Sequence, residues 1–386
     1  MPGSLGLYLH IPFCRSKCDY CDFYSLAGQD ARMDAYQNAL AIHLLRAARA
    51  TRGCRVDTVY LGGGTPSYFG EKRLRLLLRL IQRRFALTRN AEITLEANPD
   101  SADYRSLSRL RRAGFNRISL GMQSANDRHL SGLHRPHSFA QTVAAVTAAR
   151  KAKFKSLSLD LIYGLPNQEM ADWRETVEQA IALAPDHLSC YGLTVELGTP
   201  LAARLMDGAP LPDSDLQADM YLWAVTRLRQ AGYRQYEVSS FAAEGHESRH
   251  NLKYWLGREY LGFGPGAHSD FRGRRYSYPR DLEAYISGVL GAGPPLDEAR
   301  CISKRERAAE YLMLRLRTAQ GVEAWEYRRE FLLDFAPLEA KLILYESHGW
   351  SCRNGSRWRL TPTGFLVSNQ LISDLLSCLE DAPPAL

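Results

Sequence analysis

Between residue 5 and about 235, short apolar runs alternate with helical patterns, and this alternation limits what the chain can fold into more than any other feature. Six runs can be counted: Leu5 to Ile11, Asp57 to Leu61, Glu92 to Glu96, Arg117 to Gly121, Ser156 to Asp160 and His187 to Tyr191. Such an order is the signature of parallel strands joined by crossover helices. The intervening stretches each carry one apolar face. Met33, Tyr36, Leu40 and Leu44 share one, as do Leu74, Leu77, Leu78, Ile81 and Phe85, and Trp173, Val177 and Ile181 repeat the pattern. Six units rather than eight predict an α/β fold of the open kind, a partial TIM-like (β/α)6 barrel over 1–235. In such barrels the site is built at the C-terminal ends of the strands.

Beyond residue 235 the alternation stops. Residues 236–300 form a connecting segment rich in glycine and aromatic residues, and 301–386 read as a small, mainly helical domain. Ser303 to Arg317 and the stretch from Val322 through Ser347 predict helices. Trp350 to Leu360 predicts a hairpin turning at Asn354-Gly355, and Thr363 to Leu379 a closing helix with Phe365, Ile372, Leu375 and Leu379 as its apolar stripe. Helices plus a wing resemble a winged helix. The tail, Asp381 to Leu386, is expected to fray.

Directly after the first strand come three thiols within eight residues, Cys14, Cys18 and Cys21. Thiolates at spacings of four and three suit three corners of a cubane iron-sulfur cluster, leaving the fourth iron open. Zinc usually takes two ligand pairs. Here only Cys18 and Cys21 have pair spacing, although His10 would complete a tetrahedron, so zinc stays open on spacing alone. The remaining bulk properties are bland. Eight cysteines in 386 residues do not make a secreted disulfide framework, and no run of 18 apolar residues or signal core is present. A reducing, cytoplasmic compartment is expected, with peripheral membrane contact left open. A net charge of +7 is a mild excess, not a nucleic-acid signature, and the run from Lys72 to Arg84 reads as a solvated helix face.

Polar or glycine-rich residues close four successive strands. Gly62-Gly63-Gly64-Thr65 follows the second, Glu96-Ala97-Asn98-Pro99 ends the third, Gln123 the fourth, and Asp160 stands in the fifth. Singly these are ordinary turn or structural polar residues. Together they read as the lining of one polar cleft.

The thiol spacing, the preceding Tyr8-Leu9-His10-Ile11-Pro12-Phe13 and the interleaved Tyr20 resemble the cluster loop of the radical S-adenosylmethionine (SAM) proteins. The resemblance implies a 4Fe-4S cluster on Cys14, Cys18 and Cys21, its open iron chelated by SAM. It further implies SAM contacts from Gly62, Gly63, Gly64, Thr65, Glu96, Gln123, Arg135 and Asp160, with Tyr8 as the aromatic beside the cluster. In that chemistry an electron from the reduced cluster cleaves the sulfonium to methionine and a 5'-deoxyadenosyl radical, so an electron donor is a further expected partner.

Farther on stand His250-Asn251-Leu252-Lys253-Tyr254-Trp255 and Gly262-Phe263-Gly264-Pro265-Gly266-Ala267. On a helical turn His250 and Tyr254 share a face, offering an imidazole nitrogen beside flat aromatic surface, chemistry that suits a porphyrin. From the residues alone the bland alternative is a surface histidine near a buried Trp255. With these stretches the whole chain resembles the radical SAM family of oxygen-independent coproporphyrinogen III oxidases and the related heme chaperones. The oxidases carry a further cysteine two residues after the third ligand, where this chain has Asp22-Phe23, and a longer N-terminal extension. Both departures favour the chaperone branch: heme as cargo, handed to apo-hemoproteins. The alternative is oxidative decarboxylation of coproporphyrinogen III. The same resemblance makes the C-terminal domain a lid or docking module rather than a nucleic-acid reader.

Overall fold

The computed structural model describes residues 4–208 and 210–380, so the tail Asp381 to Leu386 lies outside the described residues. The chain forms two compact units, one from 1–220 and 259–300, the other from 221–258 and 301–386. The units divide at 220, 258 and 300, so the 236–300 connecting segment is shared between them.

In the larger unit the six runs become β1 (Leu5–Ile11), β2 (Arg55–Gly63), β3 (Ala86–Ala97), β4 (Arg117–Gln123), β5 (Ser156–Tyr163) and β6 (His187–Gly192). Each is parallel to the next, as the crossover pattern requires. Several run past their apolar stretch into the polar residues at the C-terminal end. The crossovers include α1 (Met33–Ala50), α2 (Glu71–Arg84), α3 (Tyr104–Ala113), α4 (Phe139–Lys151) and α5 (Met170–Ala182). Their starts are legible. The Asp103 carboxylate accepts from the Arg105 and Ser106 amides to cap α3, and Ser138 with Gln141 forms a capping box on α4. On α5, Ala180 takes the buried place expected of Ile181.

The glycine- and aromatic-rich segment is more than a connector. Tyr260–Phe263 (β7) adds parallel to the free edge of β1, and His268–Phe271 (β8) and Arg274–Ser277 (β9) follow antiparallel. Gly262 allows this close packing: a Cβ there would lie 2.2 Å from the His268 carbonyl oxygen. Helix α6 (Leu282–Leu290) follows.

The smaller unit includes the short helix Arg249–Trp255 and the C-terminal domain. The latter runs α7 (Lys304–Arg315), a short strand Val322–Glu323, α8 (Ala324–Phe331), α9 (Ala336–Ser347), β10 (Ser351–Asn354), β11 (Arg357–Leu360) and α10 (Ser368–Glu380). Val322–Glu323 pairs with β11 and β11 with β10, the order of a winged helix. Leu332, in the left-handed region at φ 60°, breaks the stretch from Val322 through Ser347 into two helices. Among the described residues no helix is long and apolar enough to cross a membrane.

Candidate functional site

Alternation along β1 to β6 sorts the side chains into two sets. Leu7, Leu9, Ile11, Leu61, Leu120 and Leu159 belong to the fully buried apolar set. The other set is polar. By register Tyr8, Tyr60, Thr94, Arg117 and Ser156 lie side by side; Glu96, Ser119, Ser158 and His187 form the next row, and Gly121, Asp160 and Ser189 the next. A closed barrel of this type fills its interior with branched apolar residues. This one is hydrogen-bonded: Tyr60 donates to Glu96 Oε1 (2.7 Å), Ser119 to Asp160 Oδ2 (2.9 Å), Arg117 to Ser156 (2.8 Å), and Ser158 shares a bond with His187 Nδ1 (2.8 Å). The polar rows were missed as rows in the sequence, yet the period-two signal is present in Ser156-Leu-Ser-Leu-Asp160.

At the C-terminal end of these rows Glu96 also accepts from the Gly63 amide (3.1 Å). Burial pushes its carboxyl up to about 7, with the Tyr60 hydrogen bond opposing and the nearby Asp160 charge adding. Burial likewise raises Asp160, against hydrogen bonds from Ser189 and Ser119. The glycine run is required by crowding. A Cβ on Gly62 would meet the Glu96 carboxylate at 2.8 Å, and one on Gly64 would stand 3.0 Å from Cys14 Sγ. The Gly64 and Thr65 amides are spent on the Ile11 and Phe13 carbonyls (2.8 Å each), so these two N–H groups are not left for a ligand.

Cys14 and Cys18 are buried and Cys21 half-buried, all as free thiols. Cys14 Sγ accepts from Thr65 Oγ1 (3.3 Å), and Cys18 Sγ from Arg135 Nη1 (3.3 Å). Burial raises the Cys14 and Cys21 thiols, and the neighbouring thiols push the same way; a bound cationic centre reverses that and takes thiolates. Asp19, unremarked in the sequence, anchors the loop through Arg204 (2.8 Å), His134 (2.7 Å) and the Leu201 amide (3.0 Å to its carbonyl). The zinc alternative loses its fourth ligand. His10 is buried with Nε2 bonded to the Tyr24 carbonyl (2.8 Å) and Nδ1 to the Tyr8 hydroxyl (3.1 Å), and among the described residues no three His, Cys, Asp or Glu side chains converge on one ion position. Corner ligation of a cubane does not require such convergence, because each thiolate binds its own iron.

Between the thiols and the polar rows lies Asn98, which the sequence offers only as one member of a polar strand end. Asn98 donates to Thr65 Oγ1 (3.2 Å) and accepts from Arg135 Nη2 (2.8 Å), closing a chain of hydrogen bonds from Cys14 to Cys18. Gln123, held at φ 64° beside a register shift, folds back over Gly121, where a Cβ would meet its Nε2 at 2.8 Å and Arg135 Nη2 at 3.0 Å. Arg135 Nε and Asp100 Oδ1 are buried there without a hydrogen-bond partner. Unspent buried polar groups beside three thiols fit a polar, charged molecule seated next to a cluster. The larger unit thus brings together Tyr8, Gly62 to Thr65, Glu96, Gln123, Arg135, Asp160 and the cysteines.

His250, Tyr254 and Trp255 belong to the smaller unit. The bland reading is corrected in both its parts: His250 is wholly buried, and Trp255 is only half-buried. The imidazole Nε2 is held by the Tyr254 hydroxyl at 2.9 Å, so it faces no solvent as it stands.

Comparison with known proteins agrees with this geometry. The model of the radical SAM superfamily matches residues 8–180 and that of the HemN C-terminal domain residues 302–367. The chain is 39% identical over 382 residues to a heme chaperone HemW of Mycobacterium tuberculosis, covering 97% of this chain and 96% of that one. It is 34% identical to the Haemophilus influenzae HemW (97% and 98% covered), and 40% identical to a mitochondrial radical S-adenosyl methionine domain-containing protein 1 of Mus musculus (90% and 78%). Among solved structures, coproporphyrinogen III oxidase (HemN) from Escherichia coli, a radical SAM enzyme, superposes with a TM-score of 0.85 at 25% identity, over 98% of this chain and 90% of that one. The cluster loop, the polar strand ends and likeness along nearly the whole chain lead to one conclusion: the chain belongs to the radical SAM superfamily and, within it, to the HemW family.

Proposed function

We propose that this protein is a radical SAM heme chaperone, which binds heme and delivers it to apo-hemoproteins in the cytoplasm. The observation that carries the reading is likeness to HemW relatives over 97% of the chain. Asp22-Phe23 after the third thiol supports it, and Phe23 is 69% exposed. Cys14, Cys18 and Cys21 hold the 4Fe-4S cluster in this reading. Tyr8, Gly62, Gly63, Gly64, Thr65, Glu96, Gln123, Arg135 and Asp160 surround SAM, and an external donor supplies electrons to the cluster.

His250, Tyr254 and Trp255 are the proposed heme contacts, with a condition attached. His250 becomes a ligand only once its Nε2 is released from the Tyr254 hydroxyl. Tyr254→Phe removes that competitor and is expected to strengthen heme binding severalfold, whereas His250→Ala should shift the Soret band and weaken binding. Heme titration of the anaerobically reconstituted protein reads both, and an unchanged Soret band in His250→Ala excludes this ligand. Decarboxylation of coproporphyrinogen III is the second reading, favoured by the shared HemN fold. The same preparation, given SAM and a reductant, is expected to form no protoporphyrinogen; its formation would replace the carrier reading with the enzyme.

A further inference from the structure

Helices α2 and α3 run side by side on the larger unit, joined by an ion pair from Arg109 to Glu71 (2.8 Å) and a bond from Gln82 to the Ala113 carbonyl (2.9 Å). Six basic residues on α2 and four on α3 stand against Glu71 as the sole acid within the two helices, although the whole chain carries only +7. A solvated outer face accounts for side chains that point away from both helices. It does not account for those that point between them. Arg75, Arg79 and Gln82 lie on one face of α2, and with Arg109, Arg112 and Ala113 they line a groove of about 540 Å³.

Gathering four guanidinium groups costs free energy unless anions answer them. Glu71 answers two, taking Arg75 at 3.1 Å and Arg109 at 2.8 Å. Among the described residues Arg79 has no carboxylate partner, and Arg112 has only the Ser108 carbonyl (3.3 Å). Arg75 Nε is buried there with no hydrogen-bond partner.

We propose that this groove is a binding site for a small, multiply charged anion bearing phosphate or carboxylate groups. Guanidinium forks match both oxyanions bidentately, and the volume lies in the range of small-ligand sites. The lining contains no aromatic side chain on which a base could stack or which could insert into a lipid interface. The anion bridges Arg79 and Arg112 across the groove, while Glu71 continues to hold Arg75 and Arg109.

Calorimetric titration of the full chain with tripolyphosphate and with citrate, at one fixed ionic strength, tests this. One of the two is expected to bind saturably at one per chain, and the preferred probe assigns phosphate or carboxylate as the source. Arg79→Ser and Arg112→Ser should each weaken binding about tenfold or more, the loss of one charged hydrogen-bonded pair. Arg83→Ser removes the same charge outside the groove and should stay within about twofold. Glu71→Gln frees two guanidinium groups and should tighten binding. Absence of saturable binding by either probe overturns the proposal, and so does an equal loss in Arg83→Ser and Arg79→Ser, which marks a diffuse field rather than a site.

Discussion

Asn98 shows what a single residue does at this site and why sequence could not reveal it. The strand-end stretch Glu96-Ala97-Asn98-Pro99 announces polar groups at a barrel mouth, but an asparagine before a proline is most often turn chemistry. Only the fold places its amide between Thr65 and Arg135, each of which donates to a different cysteine. Hydrogen bonds to cluster sulfurs raise the reduction potential. Asn98→Leu cuts both links and is expected to lower the midpoint potential of the reconstituted cluster by roughly 40 mV for each hydrogen bond loosened, taking about 1 kcal/mol apiece in a one-electron couple. Potentiometric titration with electron paramagnetic resonance detection measures it. An unchanged potential and unchanged spectrum in a well-folded variant would remove Asn98 from the cluster's environment.

At the scale of elements, the C-terminal winged helix was readable in outline from its hairpin and its helical stripes, because Asn354-Gly355 supplies the turn and Gly355 adopts φ 64°. Its use was implied only by the family resemblance, not by its own residues. Helix α9 stands third, where a winged helix that reads DNA would present basic and polar side chains. Here it exposes Ile343 and Leu344 together with Glu346, and its Lys341 is paired with Asp374. The unit depends on one tight approach: Gly321, at φ 65°, leaves only 2.0 Å between a would-be Cβ and the Trp358 carbonyl oxygen. Gly321→Ala must push the strand Val322–Glu323 off β11, at a cost of about 2–4 kcal/mol. Hydrogen exchange should show the protection of Val322 and Trp358 collapsing while β1 to β5 stay protected. Equal protection in the variant would mean that the contact is not limiting.

Over the whole molecule, stability against pH is set by groups the folded chain buries. Burial lowers His10 and His43 to about 4, so both are neutral when folded, and their contribution is lost as pH falls from about 6.5 to 4. Glu96, raised to about 7, acts in the opposite sense: it favours the protonated form, and stability falls as pH rises from about 4.5 to 7. His137 is likewise lowered to about 4, so three histidines stand against Glu96, and the cluster-free protein should lose stability on acidification between 6.5 and 4.5. Glu96→Gln should gain on the order of 2 kcal/mol at pH 8 and steepen the acid loss and, Glu96 being a proposed SAM contact, weaken SAM binding. Urea midpoints at pH 5 and 8 read the first two effects, and a variant no more stable at pH 8 would contradict them. What the sequence alone determined was whatever local spacing encodes: six parallel strands from period and length, three thiols close enough to share one cluster, and a wing from its turn. What the tertiary structure decided was everything that needs distant segments side by side. That includes the polar rows inside the barrel, Asn98 between two cysteines' partners, His250 closed against Tyr254, β7 beside β1, and four arginines facing one another across a groove. The physical reason is range: backbone preference and apolar periodicity act over a few residues, whereas burial, pKa and hydrogen-bond partnership exist only once the chain has closed on itself.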